Sequence, residues 1–205
     1  MQFLTDFADQ QVMLPLGFVL AVMLALSGWK RGALVWMVGA SGTLACLAVL
    51  KIVFLACGWR WTQGELVSPS GHAASAALFY GGFPLLVLRP GGMGRYLRLL
   101  IPFAVAALIG ASRLVLRYHQ PAEVMLGGAI GIAGAFLLPL LAGPPPPLPL
   151  RRMVLPAFLV LALMHGSRLQ AETLLRHFSI DGIWPPASCR RPGIDAWRPP
   201  RDAAT

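Results

Sequence analysis

The sequence predicts an all-α fold, a polytopic transmembrane helical bundle of about six spans. Three observations predict it. The 205 residues are 57% hydrophobic and only 12% charged, against about 25% charged in soluble domains. Mean hydropathy is +0.67. The apolar residues gather in runs close to the roughly 20 residues that cross about 30 Å of hydrocarbon. So few charges cannot coat a water-facing surface, which excludes an ordinary soluble globule, a disordered chain and a fibrous repeat.

The first run is Val12–Ser27, closed by Lys30 and Arg31. The residues before it carry Asp6 and Asp9 but no Lys or Arg, and no A-x-A site follows, so it reads as a retained span rather than a signal peptide. The second run, Ala33–Cys57, is interrupted only by Lys51, and a polar loop at Gly58–Ser70 follows. The third is Ala73–Leu88, ended by Arg89, Pro90, Gly91 and Gly92. The fourth is Leu97–Leu116, with Ser112 and Arg113 near its end. The fifth, Glu123–Ala142, stops at Gly143 and the prolines 144–147, which cannot continue a helix. The sixth, Met153–His165, is short. It reads as a span flanked by snorkelling Arg152 and Arg168, with an interfacial segment as the alternative. A single transmembrane domain is expected over 1–168, with a polar tail rich in Pro and Arg over 169–205.

The formal net charge is +9. In a membrane chain this is first a topology signal, and no nucleic-acid partner is expected. Lys30, Arg31, Arg89, Arg95, Arg98, Arg151 and Arg152 fall in alternate loops and hence on one face. The positive-inside rule makes that face cytoplasmic. Cys46, Cys57 and Cys189 form no even framework and no C-x-x-C pair, and His165 and His177 lack partners at suggestive spacing.

An ionisable residue at the edge of a span is costly and needs a reason. Lys51 lies near the outer end of the second span, His72 opens the third, Arg113 closes the fourth, and His119 and Glu123 open the fifth. Span counting brings all of them to the outer face. A lysine, an arginine, two histidines and a carboxylate make an anion site with acid–base capacity. Pro69 suits a first helical turn, so the backbone N–H groups of Ser70 and Gly71 are expected to point outward at the positive end of a helix dipole, where phosphate binds readily. Helix initiation alone would also account for Ser68 and Pro69. Glu123 falls four residues after His119, within reach of a His–carboxylate hydrogen bond, although a dipole-stabilising Glu beside an interfacial His is the plainer alternative. Arg113 offers a bidentate fork and Lys51 a point charge. Arg117 reads as an interfacial anchor. Gly127, Gly131 and Gly134 suit close helix packing that seats the His119 end.

Pro69-Ser70-Gly71-His72, followed by Ser112-Arg113-x5-His119-x3-Glu123 with Lys51 upstream, resembles the type-2 phosphatidic acid phosphatase family. That family shares its site with vanadium haloperoxidases and glucose-6-phosphatase. The family pattern is K-x6-R-P, P-S-G-H and S-R-x5-H-x3-D. The second element matches in full. The third has Glu123 where Asp is usual. In the first, Gly58-Trp59 occupies the place of Arg-Pro and Arg60 comes two residues late, so Arg60 is an open candidate. The resemblance covers about residues 51–134.

The resemblance implies the helical fold of acid phosphatases and vanadium haloperoxidases. It also implies hydrolysis of a phosphomonoester or diphosphate, without metal or cofactor, through a phosphohistidine. His119, His72 and Glu123 would be catalytic. Lys51, Ser70, Gly71, Arg113 and the open candidate Arg60 would bind phosphate. The expected partner is a lipid phosphate: phosphatidic acid, phosphatidylglycerophosphate, a polyprenyl diphosphate or a lipid A phosphate. The expected location is a bacterial inner membrane with the site facing the periplasm. A lipid phosphotransferase on the same site, and an inactive lipid-phosphate binder or transporter, are the alternatives, the latter motivated by the altered first element. Oligomeric state is not legible.

Overall fold

A computed structural model describes residues 1–62, 68–88 and 94–166, without the side chains of residues 56–62 and Arg95. The described chain is helical, in the order α1 (Gln2–Asp6), α2 (Gln10–Leu26), α3 (Lys30–Thr62), α4 (Gly71–Ala76), a π-helical segment (Ala77–Gly82), α5 (Phe83–Val87), α6 (Arg95–Val115), α7 (Pro121–Ala142) and α8 (Leu150–Met164). The expected tail 169–205 lies outside the described residues.

Each apolar run is a helix, and the ends follow local chemistry. Asp9 caps α2 by accepting the Gln11 N–H at 2.9 Å. Pro121 opens α7, where its missing N–H costs nothing. Gly143, at φ 77°, closes α7 in a conformation that suits glycine. Two boundaries differ from expectation. α3 runs on through Gly58 to Thr62, because a lone glycine weakens a helix by only about 1 kcal/mol. The third run is not uniform: α4 passes through the π turn into α5. Pro84 supplies the cause, since it has no N–H for the Tyr80 carbonyl and its ring crowds that carbonyl. The wider turn lies just N-terminal to it.

Among the described residues, three helical stretches are long and apolar enough to cross a membrane: Lys30–Leu55, Tyr96–Val115 and Pro121–Ala142. The expected count of six is therefore met by length at three. The 17 residues of α2 and the 15 of α8 rise only about 25 and 22 Å. The outside of the bundle carries large apolar side chains, among them Phe18, Val38, Leu108, Leu140 and Phe158, each more than half exposed. A helix surface of this kind needs an apolar solvent.

The core is built mostly from alanine and leucine, with Trp29, Trp36 and Phe79 among its buried rings. Trp36 of α3 is fully buried. It meets Phe79 and Phe83 edge-on, each at a 5.1 Å centroid separation, and its Nε1–H donates to the Gly17 carbonyl at 2.8 Å. α2, α3, the π segment and α5 are thereby fixed about one indole. Along α7, glycines replace side chains where backbones touch. A Cβ at Gly127 would lie 2.2 Å from the Ser70 carbonyl oxygen, and one at Gly131 would lie 2.2 Å from the Ala74 oxygen. The packing role expected of these glycines is what α7 uses to seat α4 against itself.

The two ends of the bundle differ. At one end Arg31 donates to the Leu141 carbonyl at 2.8 Å and Arg98 to the Leu85 carbonyl at 2.7 Å. Both cations sit where helix C-termini leave carbonyls unsatisfied. The opposite end gathers the starts of α4 and α7 with the end of α6. There α1 packs on α6, with Thr5 buried. His165, just beyond α8, packs at a tilt of 51° against the Phe3 and Phe7 rings and contacts the Phe3 carbonyl through Nε2 at 3.1 Å.

Candidate active site

The turn between α6 and α7 sets the histidine. The N–H of Tyr118 bonds the Arg113 carbonyl and that of Arg117 bonds the Leu114 carbonyl, both at 3.0 Å. This is a Schellman ending, with Arg117 at φ 57° in the position usually given to glycine. A side chain there costs about 1 kcal/mol. Arg117 thus reverses the chain, a role beyond the anchoring expected of it. The reversal places the Arg113 guanidinium 4.4 Å over the Tyr118 ring and returns His119 toward the start of α7.

Glu123 is the hub. Its Oε2 lies 2.8 Å from His119 Nδ1 and accepts the Gln120 N–H at 3.1 Å, while Oε1 accepts the Ser68 N–H at 2.7 Å. The His119 and Glu123 side chains are only 5% and 6% exposed. The extra methylene relative to aspartate lets one carboxylate hold both the imidazole and the approach to α4. Because Nδ1 faces a carboxylate, it carries the proton, and the lone pair lies on Nε2.

The start of α4 is tied to the same hub. Lys51 is buried, and its Nζ donates to Ser68 Oγ at 3.2 Å. A Cβ at Gly71 would lie 3.5 Å from Lys51 Cε and 3.9 Å from Nζ, so glycine leaves the ammonium close against the first turn of α4. One expectation is corrected here. The Ser70 N–H does not point outward, because it donates to the Glu123 carbonyl at 2.9 Å. Gly127 and Gly131 bring the two backbones close enough for that bond. Ser70 is fully buried, and its Oγ accepts from the Ala73 N–H at 3.5 Å.

His72 follows on the first turn of α4, with its side chain 24% exposed and Nε2 3.9 Å from Asp9 Oδ2. Arg113 donates from Nη1 to Thr5 Oγ1 at 3.1 Å. Ser112 is buried and donates back to the Ile109 carbonyl at 2.6 Å. The side chain of Arg60 lies outside the described residues. Lys51, Ser70, Gly71, His72, Arg113, His119 and Glu123 therefore share one end of the bundle. Three residues there were not anticipated as site residues: Ser68, Asp9 and Thr5. In sequence Asp9 read only as part of an acidic lead-in to the first apolar run, and Thr5 gave no signal. Nothing local announced that the lead-in folds onto α4 and α6.

Burial pushes the His119 pKa below its ordinary value, and the nearby positive charges of Lys51 and Arg113 push it the same way; Glu123 opposes them. A lowered pKa keeps the ring neutral to lower pH than a free imidazole. A reaction needing neutral His119 should therefore hold its rate below the usual histidine range and lose it only as acid titrates the ring. A profile of kcat/KM against pH checks this. An acid limb above the ordinary imidazole range would contradict it.

A buried imidazole held by a carboxylate thus stands at one end of a helical bundle with a lysine, an arginine and a second histidine, a set of groups chemically suited to an anion. Residues 20–144 match the PAP2 superfamily, and the chain belongs to that family. It is 30% identical over 141 residues to a Klebsiella pneumoniae protein described as an uncharacterized 22.5 kDa protein in the cps region. The match covers 66% of this chain, and the chain spans 66% of that relative's length. No solved structure matches. Family membership supports a phosphatase-like activity on a phosphate-bearing substrate.

Proposed function

We propose that the protein is a membrane phosphatase that hydrolyses a phosphomonoester or diphosphate of a membrane lipid through a phosphohistidine on His119. The observation that carries this reading is the 2.8 Å contact of His119 Nδ1 with Glu123, which leaves Nε2 as a neutral nucleophile. In the first step Nε2 attacks phosphorus, the bond to the leaving oxygen breaks, and His72 gives that oxygen a proton. In the second step the now neutral His72 takes a proton from water, whose oxygen attacks phosphorus. The P–N bond breaks and inorganic phosphate departs. Lys51 and Arg113, with the Ser70 hydroxyl and the Gly71 N–H, stabilise the charge on the equatorial oxygens. The Ser70 amide is not among these donors, since Glu123 holds it.

Two features support a lipid substrate. The site lies at the end of helices that are apolar on the outside, where a headgroup would sit. The short links between α6 and α7 leave little to carry the site away from that surface. Arg31 and Arg98 at the opposite end favour a cytoplasmic location for that end, and hence a periplasmic site in a bacterial inner membrane.

The test is phosphate release by the purified full chain in detergent or vesicles. The panel is phosphatidic acid, phosphatidylglycerophosphate, a polyprenyl diphosphate and a lipid A phosphate, with and without EDTA. We expect at least one lipid to be hydrolysed faster than a soluble phosphate ester, at a rate that EDTA leaves unchanged. Preference for the soluble ester would overturn the lipid assignment, and strict dependence on added Mg²⁺ would overturn the metal-free mechanism.

A further inference from the structure

The N-terminal segment lies before the residues that match the family, yet two of its buried side chains reach the site. Thr5 Oγ1 accepts from Arg113 Nη1 at 3.1 Å. Asp9 stands at the start of α2 with Oδ2 3.9 Å from His72 Nε2, and is itself only 7% exposed. The segment is held in place independently. The Tyr80 hydroxyl donates to the Phe7 carbonyl at 2.8 Å, and the Phe3 and Phe7 rings pack on His165.

We propose that Asp9 is a positioning residue for His72, a carboxylate supplied by the N-terminal segment whose charge keeps the ring proton-loaded for the leaving group. The reasoning is electrostatic. His72 follows Gly71, against which the Lys51 ammonium packs from α3. Arg113 of α6 and Lys51 both act on the neighbouring His119, whose own carboxylate is Glu123 of α7. Cations gathered to bind phosphate disfavour a second positive charge, and a general acid must carry one before it gives up its proton. At 3.9 Å the pair is at ion-pair rather than hydrogen-bond distance, so Asp9 acts through charge. Asp9 Oδ1 is meanwhile fixed by the Gln11 N–H, which sets the direction of Oδ2. The site thus has two imidazole–carboxylate pairs with opposite tasks. Glu123 holds a neutral nucleophile, and Asp9 favours a charged acid.

This inference rests on the role given to His72 under the proposed function, so the experiment separates the two. Asn and Ser replace Asp as helix caps with little loss, so Asp9→Asn and Asp9→Ser remove the charge while keeping the start of α2. Turnover by the full chain is measured on a long-chain alkyl phosphate, whose leaving oxygen needs a proton, and on an aryl phosphate, whose leaving oxygen does not. For both variants we expect the loss on the alkyl ester to exceed that on the aryl ester by about tenfold or more. His72→Ala should show the same selectivity in stronger form, and Asp9→Asn should add nothing in the His72→Ala background. Equal losses on the two esters, no loss, or a full additional loss in the double variant would overturn the role of Asp9 alone. If His72→Ala itself shows no selectivity, the acid role of His72 fails and the Asp9 proposal fails with it.

Discussion

His119→Ala is expected to reduce turnover by on the order of 10⁴–10⁶-fold, while the purified protein still folds. The size follows from what is removed. In the proposed mechanism every other candidate group at this end of the bundle binds charge or moves a proton, whereas His119 would form the bond to phosphorus. Glu123 would then hold an empty space, but it would keep the N–H groups of Ser68 and Gln120 at 2.7 and 3.1 Å. The α4 and α7 starts therefore stay joined, and the loss can be read as chemistry rather than collapse. Glu123→Gln divides the two roles further, because it keeps the length of the side chain but withdraws the charge from Nδ1. The measurement is single-turnover phosphate release, together with recovery of acid-labile phosphate on the unaltered chain. Full activity of a folded His119→Ala protein would end the phosphohistidine reading.

How much of this was legible in sequence depended on distance along the chain. The His119–Glu123 pair could be read from its four-residue spacing beside Pro121, although His119 precedes α7 and the contact closes across the extended Gln120 cap rather than within a helical turn. The apolar runs could be read because hydrocarbon thickness sets their length. The destination of the Ser70 N–H could not. Residues 69–72 look like a helix start with outward donors, and only the approach of α7, allowed by Gly127, turns one donor inward. The glycine spacing announced close packing but not its partner. Asp9 was visible as a charge before an apolar run, but its proximity to His72, 63 residues on, is a product of the fold. The π turn had a local cause in Pro84, but a proline inside an apolar run also fits an ordinary kink. Pro15, Pro102, Pro139 and Pro156 lie inside uninterrupted helices.

The second large effect is expected from a methyl group. Gly127→Ala should destabilise the protein and lower kcat/KM by about 10²-fold, whereas Gly128→Ala one residue on should do neither. Helix propensity alone favours both changes by about 1 kcal/mol, so the sign is decided by what the new Cβ meets. At 128 it meets the Ala106 Cβ at 3.6 Å, an ordinary contact. At 127 it would stand 2.2 Å from the Ser70 carbonyl oxygen and 2.9 Å from the Ser70 nitrogen. These are backbone atoms with no rotamer to yield, so α4 must move. Overpacking of this kind costs about 1–3 kcal/mol, more than propensity returns. Any retreat of α4 also stretches the Ser70 N–H bond to the Glu123 carbonyl and draws Ser68, Gly71 and His72 away from His119. Thermal unfolding in detergent and kcat/KM, measured for both variants, check the claim. A Gly127→Ala protein as stable and active as Gly128→Ala would mean that the contact between the starts of α4 and α7 does not hold the two histidines in register.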